Sequence, residues 1–337
     1  MMQKISSYRP YLDYVIFGLL LCVLPFLVDA RIMPFAWLTI IGGVVIYSIV
    51  SFGMNILMGY AGLASLGTAG FMGLGAYLSV ILTVDAGLPF LLVFVIVIVV
   101  TMLLGVIVGL ISLRVEGFFL AIATLVVAEI LRQVFIAATT FTGSFAGRTA
   151  RFPEIFGFAL NRNSMFIMMV IFLVLAMFIT HNIFKSPTGR AMSAMRGSES
   201  AAAAMGVNIF RYRLVAFAIA TGFAGAGGSL YMHFVQFTFP NVWILILSLN
   251  IFAVVVIGGV RSVAGTILGA FIVFGVPHLV LANLPVIGDV AGLGFVFTGV
   301  VIILVVLFYP AGLIYVWYDI LKLFSKLKNR KKGGDAA

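Results

Sequence analysis

Charge is what this 337-residue chain has least of: 9% of its residues are Asp, Glu, Lys or Arg, and 64% are hydrophobic. Soluble domains carry roughly 25% charged and 45–50% apolar residues. Ten acids and twenty bases cannot coat a water-exposed surface of this size, which excludes a soluble globular protein. There is one cysteine, Cys22, inside an apolar run, so an intrachain disulfide and a cysteine metal site are both excluded. The three histidines, His181, His233 and His278, lie far apart and outside any H-E-x-x-H pattern, and no metal is expected. No lysine follows a glycine, so the phosphate-cradling G-x-x-x-x-G-K-[ST] loop is missing and no cofactor is expected on this chain. Nucleophile elbows and paired carboxylates are missing too, which argues against an enzyme.

What the chain has in abundance is long hydrophobic runs, with a mean hydropathy of +1.26. A bilayer core of about 30 Å needs roughly 20 apolar residues per helix. Runs near 11–28, 36–58, 63–84, 88–113, 117–138, 164–184, 214–235, 242–257, 263–281 and 290–309 approach that length, and those at 242–257 and 263–281 are short or glycine-broken. The chain is therefore predicted to be an all-α integral membrane protein. It reads as one domain over 1–337, a polytopic helical bundle of about ten transmembrane helices, with eight plus re-entrant segments as the alternative. The runs are continuous and lack the alternating period of a membrane barrel. Val28-Asp29-Ala30 makes a poor cleavage site, so the first run reads as a retained span.

The net charge of +10 is distributed as in a membrane protein rather than a nucleic-acid binder. With the N-terminus inside, Lys4, Arg9, Arg114, Lys185, Arg190, Arg196, Arg211, Arg213, Arg261 and the tail bases Lys322, Lys326, Lys328, Arg330, Lys331 and Lys332 fall on the cytoplasmic side. Only Arg31, Arg148, Arg151 and Arg162 fall outside, and Arg132 stays within a span. Fifteen bases against four places both termini in the cytoplasm.

Three places invite a functional reading. Six glycines crowd GYAGLASLGTAGFMGLGAY; such density permits close helix packing or an unwound element beside a pathway, and Asn55, Ser65, Gly67, Thr68 and Gly70 are candidates to line it. Glu129 and Arg132 stand three apart, hence on one helix face, roughly 18 and 22 Å from Gly117 at about 1.5 Å per residue. An intramembrane ionisable pair is either a functional site or a structural ion pair. Between 185 and 213, Ser198 can cap a short helix, Glu199 suits its first turn and Gly206 can end it. The product is a small-faced surface helix.

At these residues the chain resembles a known family. Glu199-Ser-Ala-Ala-Ala-Ala-Met205-Gly206 is similar to the coupling-loop motif of ABC importer permeases. The wider resemblance is to LivM-type permeases of branched-chain amino acid importers, through NILMGYAGLASLG from Asn55, LRVEGFFLAIATLVVAEILR from Leu113, SPTGRA from Ser186 and IGGVRSVAGTILGA from Ile257. Two departures stand out: Ala203 occupies a place where the family often has a second acid, and Thr142-Gly-Ser-Phe-Ala-Gly147 replaces T-G-G-x-x-G. The resemblance implies a multi-pass subunit of the bacterial inner membrane working with two cytosolic ATPases, a second permease subunit and a periplasmic binding protein. Glu199, Ala202, Ala203, Met205 and Gly206 would contact the ATPase, and ATP would bind the partner subunits. The implied cargo is branched-chain or related hydrophobic amino acids, with urea, short amides or aromatic acids as alternatives. A secondary carrier, able to work alone, is the rival class.

Overall fold

A computed structural model describes residues 2–114, 117–155, 157–279, 292–309 and 312–314. The tail bases, and with them the placement of the C-terminus, lie outside the described residues. The first half runs through α1 (Met2–Cys22), α2 (Leu24–Asp29), α3 (Phe35–Gly59), α4 (Thr68–Val80), α5 (Phe90–Ser112), α6 (Phe118–Ala137) and the single turn α7 (Thr139–Thr142). Beyond the 143–161 segment come α8 (Arg162–Lys185), α9 (Pro187–Gly197), α10 (Glu199–Ala204) and α11 (Ile209–Val235). The described part closes with α12 (Leu245–Gly258), α13 (Val263–Ala270), α14 (Val276–Leu279) and α15 (Leu293–Phe308). Strands are confined to two antiparallel pairs of two residues each: β1 (Arg148–Thr149) with β4 (Phe237–Thr238), and β2 (Glu154–Ile155) with β3 (Phe158–Ala159).

Among the described residues eight helices are long and apolar enough to cross a membrane, and two more, Val263–Leu279 and Leu293–Phe308, are apolar but shorter. The chain is a polytopic helical membrane protein. The shortfall falls on one run already marked as glycine-broken and on the last run. The 242–257 run gains length from a 3-10 turn at Pro240–Val242, giving a span of Pro240–Gly258. The α13–α14 run instead contains a π segment at Phe271–Gly275.

The core is organised around α11, which packs on α3, α4 and α5. Its most apolar window is 67% buried, against 11% for Pro10–Asp29 at the periphery, so α11 is the axis and α1 an outer stave. Two apolar helices gain little by leaving lipid for each other, so dispersion and close approach must hold them. The sequence supplies that approach with small residues. A Cβ on Gly75 would meet the Gly225 backbone, with its Cα at 2.7 Å, and one on Gly228 would meet the Met72 carbonyl. The α4–α11 crossing is backbone against backbone.

The segment between α7 and α8 is pinned at several points. Arg148 forms an ion pair with Asp85, Asn163 donates to both carboxylate oxygens of Asp29 at 2.9 Å, and β1 ties the loop to the end of α11. Thr142 folds the TGSFAG turn: its Oγ1 donates to the Phe135 and Ala138 carbonyls and accepts from the Ser144 N–H at 3.1 Å. Ser144 itself takes φ +49, a conformation that costs an L-residue about 1–2 kcal/mol. Glycine would adopt it freely but loses about 0.4–1 kcal/mol of that gain to unfolded-chain entropy. Ser144→Gly is accordingly expected to raise the thermal midpoint of the purified chain modestly, by about 0.5–1 kcal/mol of stability. An unchanged or lower midpoint would show that the turn carries no strain.

Candidate functional site

The 185–213 segment folds as two short helices with a cap at each start. Ser186 Oγ accepts from the Gly189 N–H at 3.1 Å, with Pro187 in the first turn of α9. Ser198 Oγ accepts from the Ala201 N–H at 3.3 Å and opens α10. Asn208 Oδ1 accepts from the Arg211 N–H at 3.0 Å and opens α11. Gly206, at φ +82, ends α10 by letting the Val207 N–H turn back to the Ala202 carbonyl at 3.0 Å, a turn that β-carbons oppose. Met192 and Met195 of α9 are fully buried in the bundle, so the segment is moored, and Glu199 is held by an ion pair with Arg213.

The five residues expected at the ATPase contact divide between two faces. Ala202 is only 5% exposed and packs into this chain's own core, whereas Met205 is 85% exposed and Glu199, Ala203 and Gly206 also face outward. Four consecutive alanines offered no contrast by which the sequence could tell the two faces apart.

Two arginines that sequence reasoning left among the flanking bases prove to be joined here. Arg196, at the end of α9, and Arg261, in the turn between α12 and α13, both donate to the Gly59 carbonyl, Arg261 through Nε at 2.7 Å. That carbonyl lies at the C-terminus of α3, the negative end of its dipole, where cations are favoured. Partial burial, and then the Arg261 charge, hold Arg196 below its ordinary pKa. Arg261 also lies over the Tyr60 ring, 5.0 Å from its centroid, and Tyr60 stacks on Phe184 of α8 at 4.3 Å. The end of α3, the α9 terminus, the α12–α13 turn and the end of α8 thus meet at one point.

Asn55 completes this junction. Its Nδ2 donates to the Ser262 carbonyl at 3.1 Å and to Thr266 Oγ1 at 2.6 Å, while its Oδ1 accepts from the Arg261 N–H at 2.7 Å. Fully buried and with both ends of its amide engaged, Asn55 is a pin between α3 and the α12–α13 turn. The other residues expected beside a pathway gather on α6. The chain between α3 and α4 is unwound over Tyr60–Gly67, as the glycine density suggested. Its freed N–H groups find side chains: Leu66 donates to Thr124 Oγ1 at 3.0 Å, Gly67 to Ser65 Oγ at 3.2 Å and Ala69 to Ser248 Oγ at 2.9 Å. Buried backbone N–H groups outside a helix require such partners. Gly67 and Gly70 let α4 close on α6, a Cβ on Gly70 meeting the Ala128 Cα at 2.7 Å, and Thr68 is half-buried.

Glu129 and Arg132 do pair: Arg132 Nη2 donates to Oε1 at 2.6 Å and Nε to Oε2 at 2.8 Å. They are not buried in this chain. The Glu129 side chain is 49% exposed and that of Arg132 18%. An open cavity of about 1030 Å³ lies between residues 83–91 and the 149–154 loop, with His233 in its wall. His233 is fixed there, Nδ1–H donating to the Arg151 carbonyl at 3.1 Å and Nε2 bonded to Ser79 at 3.1 Å. Among the described residues no cluster of His, Cys, Asp or Glu could hold a metal.

A polytopic bundle with a capped, moored helix pair at one end, wired into the ends of its spans, has the form of a permease subunit. The sequence comparisons agree. Residues 36–306 match the family described as "Branched-chain amino acid transport system / permease component", and the chain belongs to that family. It is 29% identical over 338 residues to the high-affinity branched-chain amino acid transport system permease protein LivM of Escherichia coli strain K12, covering 93% of this chain and 76% of that protein. The Salmonella typhimurium protein of the same name is 28% identical over 326 residues, with 89% and 74% covered. A probable branched-chain amino acid transport permease protein, LivH of Methanocaldococcus jannaschii, is 28% identical over 195 residues, 56% of this chain and 59% of that one. No solved structure matches.

Proposed function

We propose that this chain is one of two permease subunits of an ABC importer in a bacterial inner membrane. It would carry branched-chain or related hydrophobic amino acids delivered by a periplasmic binding protein, driven by two cytosolic ATPases that bind ATP. The single observation that carries this reading is the outward face of α10. Ala201, Ala203, Ala204 and Met205 are exposed on a helix capped at both ends and moored by Glu199–Arg213 and the α9 methionines. Alanine side chains contribute no bulk of their own, so a partner's groove must supply the packing.

The same geometry suggests how a stroke of the ATPases would reach the membrane. A displacement of α10 is passed to α9, and Arg196 carries it to the Gly59 carbonyl at the end of α3. Arg261 holds the same carbonyl, and Asn55 ties α3 to the turn that bears Arg261. Movement of α9 therefore biases α3 and the α12–α13 pair together rather than one helix alone.

In a Cys22→Ser background, a cysteine at Ala203 is expected to crosslink to a cysteine in the ATPase groove in an ATP-sensitive manner. Ala203→Trp, which overfills a close-packed contact at a cost of about 1–3 kcal/mol, and Gly206→Val, which opposes φ +82, should leave the chain in the membrane but release the ATPases on co-purification. Normal transport by both variants, or accumulation of leucine by the purified chain alone, would overturn the proposal.

A further inference from the structure

The outward face of α6 carries a polar cluster that the packing of this chain does not use. Ala121, Thr124, Ala128 and Phe135 are the residues α6 turns into the bundle, where it packs on α4. Glu129, Gln133, Val126 and Ile130 are exposed on the opposite side. Glu129 accepts from Gln133 Nε2 at 2.8 Å as well as from Arg132, and Arg132 Nη1 donates to Asn241 Oδ1 at 3.2 Å. One acid, one base and two amides thus form a connected patch: Glu129 and Arg132 stand about 18 and 22 Å along α6 from Gly117, at about 1.5 Å per residue, and Asn241 lies where the Pro240–Gly258 span begins. A half-exposed carboxylate left facing hydrocarbon is costly. A polar solute in front of it would remove that cost.

We infer that Glu129, Arg132, Gln133 and Asn241, with the apolar flank Val126 and Ile130, form a subsite on the transport path that binds the zwitterionic head and aliphatic side chain of an amino acid. Two features select this ligand chemistry. The patch has both signs of charge and no net charge, so it complements a solute carrying an ammonium and a carboxylate rather than an ion of one sign. A guanidinium has five N–H donors, and the bonds to Glu129 and Asn241 leave some of Arg132's free to meet a carboxylate. Glu129 and Gln133 present acceptors to an ammonium. Beside this head group, Val126 is 48% and Ile130 56% exposed, which gives an aliphatic side chain a surface to lie on. The inference rests on the permease reading for its solute, but its test does not require the ATPases.

The experiment uses single cysteines beside the subsite in a Cys22→Ser chain, Val134→Cys and Ala137→Cys, in native membranes and in the assembled complex. The reagent is a membrane-impermeant ammonium methanethiosulfonate. Both positions should be modified, and saturating L-leucine should slow modification fivefold or more. Leu103→Cys, on the exposed side of α5, should stay unmodified. In proteoliposomes Arg132→Gln should lower leucine uptake tenfold or more while the complex keeps its subunits and its ATPase rate, and Arg132→Lys should recover part of the loss. Unreactive cysteines mean a lipid-facing or dry protein contact and overturn the inference. Reaction that leucine does not slow overturns the ligand, since the seam would then be wet but not bind solute. Unchanged uptake by Arg132→Gln overturns it as well. Leucine protection in a chain that binds no ATPase would keep the subsite and sink the ABC reading.

Discussion

Gly75→Val is expected to leave almost no folded permease in the membrane. The new side chain would meet the backbone of Gly225, and backbone, unlike the end of a flexible side chain, cannot swing aside. Overpacking a core typically costs about 1–3 kcal/mol, and here the whole α4–α11 crossing must open, so the cost should lie at or above the top of that range. It falls on the central helix, so the damage cannot stay local. The measurement is the yield and thermal midpoint of monodisperse protein after detergent extraction. Gly299→Ala is the control: it is also within an apolar helix, but a Cβ there meets nothing within 4 Å. If Gly75→Val purifies as well as Gly299→Ala, the close crossing does not exist.

Asn55→Leu should have the second largest effect, and a different one. The substitution keeps the bulk but strips the amide, leaving the Arg261 N–H without its acceptor, while the Ser262 carbonyl loses one donor and keeps those of Thr266. An orphaned buried group costs about 1–3 kcal/mol. The loss is centred on the junction of α3 with the α12–α13 turn, away from the outward face of α10. The expected outcome is a complex that retains its ATPases and hydrolyses ATP, yet transports at a tenth of the normal rate or less. Arg196→Ala should move in the same direction, more weakly, because Arg261 still holds the Gly59 carbonyl. Loss of the ATPases from Asn55→Leu would show that the junction supports docking rather than transmission.

How far the sequence could be read varied with the range of the physics involved. Apolar runs and caps are local, so eight of the spans and the ends of α10 at Ser198 and Gly206 could be placed from residues a few positions apart, and the glycine cluster marked the neighbourhood of the Tyr60–Gly67 break without its bounds. The spacing of Glu129 and Arg132 likewise foretold their pairing. What it could not foretell is which way the pair faces, because apart from the Glu129–Arg132–Gln133 face α6 is almost wholly apolar, and nothing along it says whether that face turns to the bundle or away from it. Asn55 shows the same limit more sharply. An asparagine in a membrane helix suggests a pathway, but the groups that occupy it lie at 261, 262 and 266, and no spacing rule connects residues so far apart. Ala202 and Ala203 are chemically identical neighbours, and only the packing of α10 against the bundle separates the buried one from the exposed one.

The Asn55 pin also sets a timetable for biosynthesis. Its partner Ser262 lies 207 residues downstream, and at about 5–20 residues per second a ribosome needs about 10–40 s to travel that far. Throughout that interval the Asn55 amide and the Gly59 carbonyl of α3 lack their final partners, Ser262 and Arg261. The nascent chain must therefore linger where water or another protein can hold those groups. The pin closes only when the α12–α13 turn docks, and membrane quality control has that window in which to act on chains that fail to complete it.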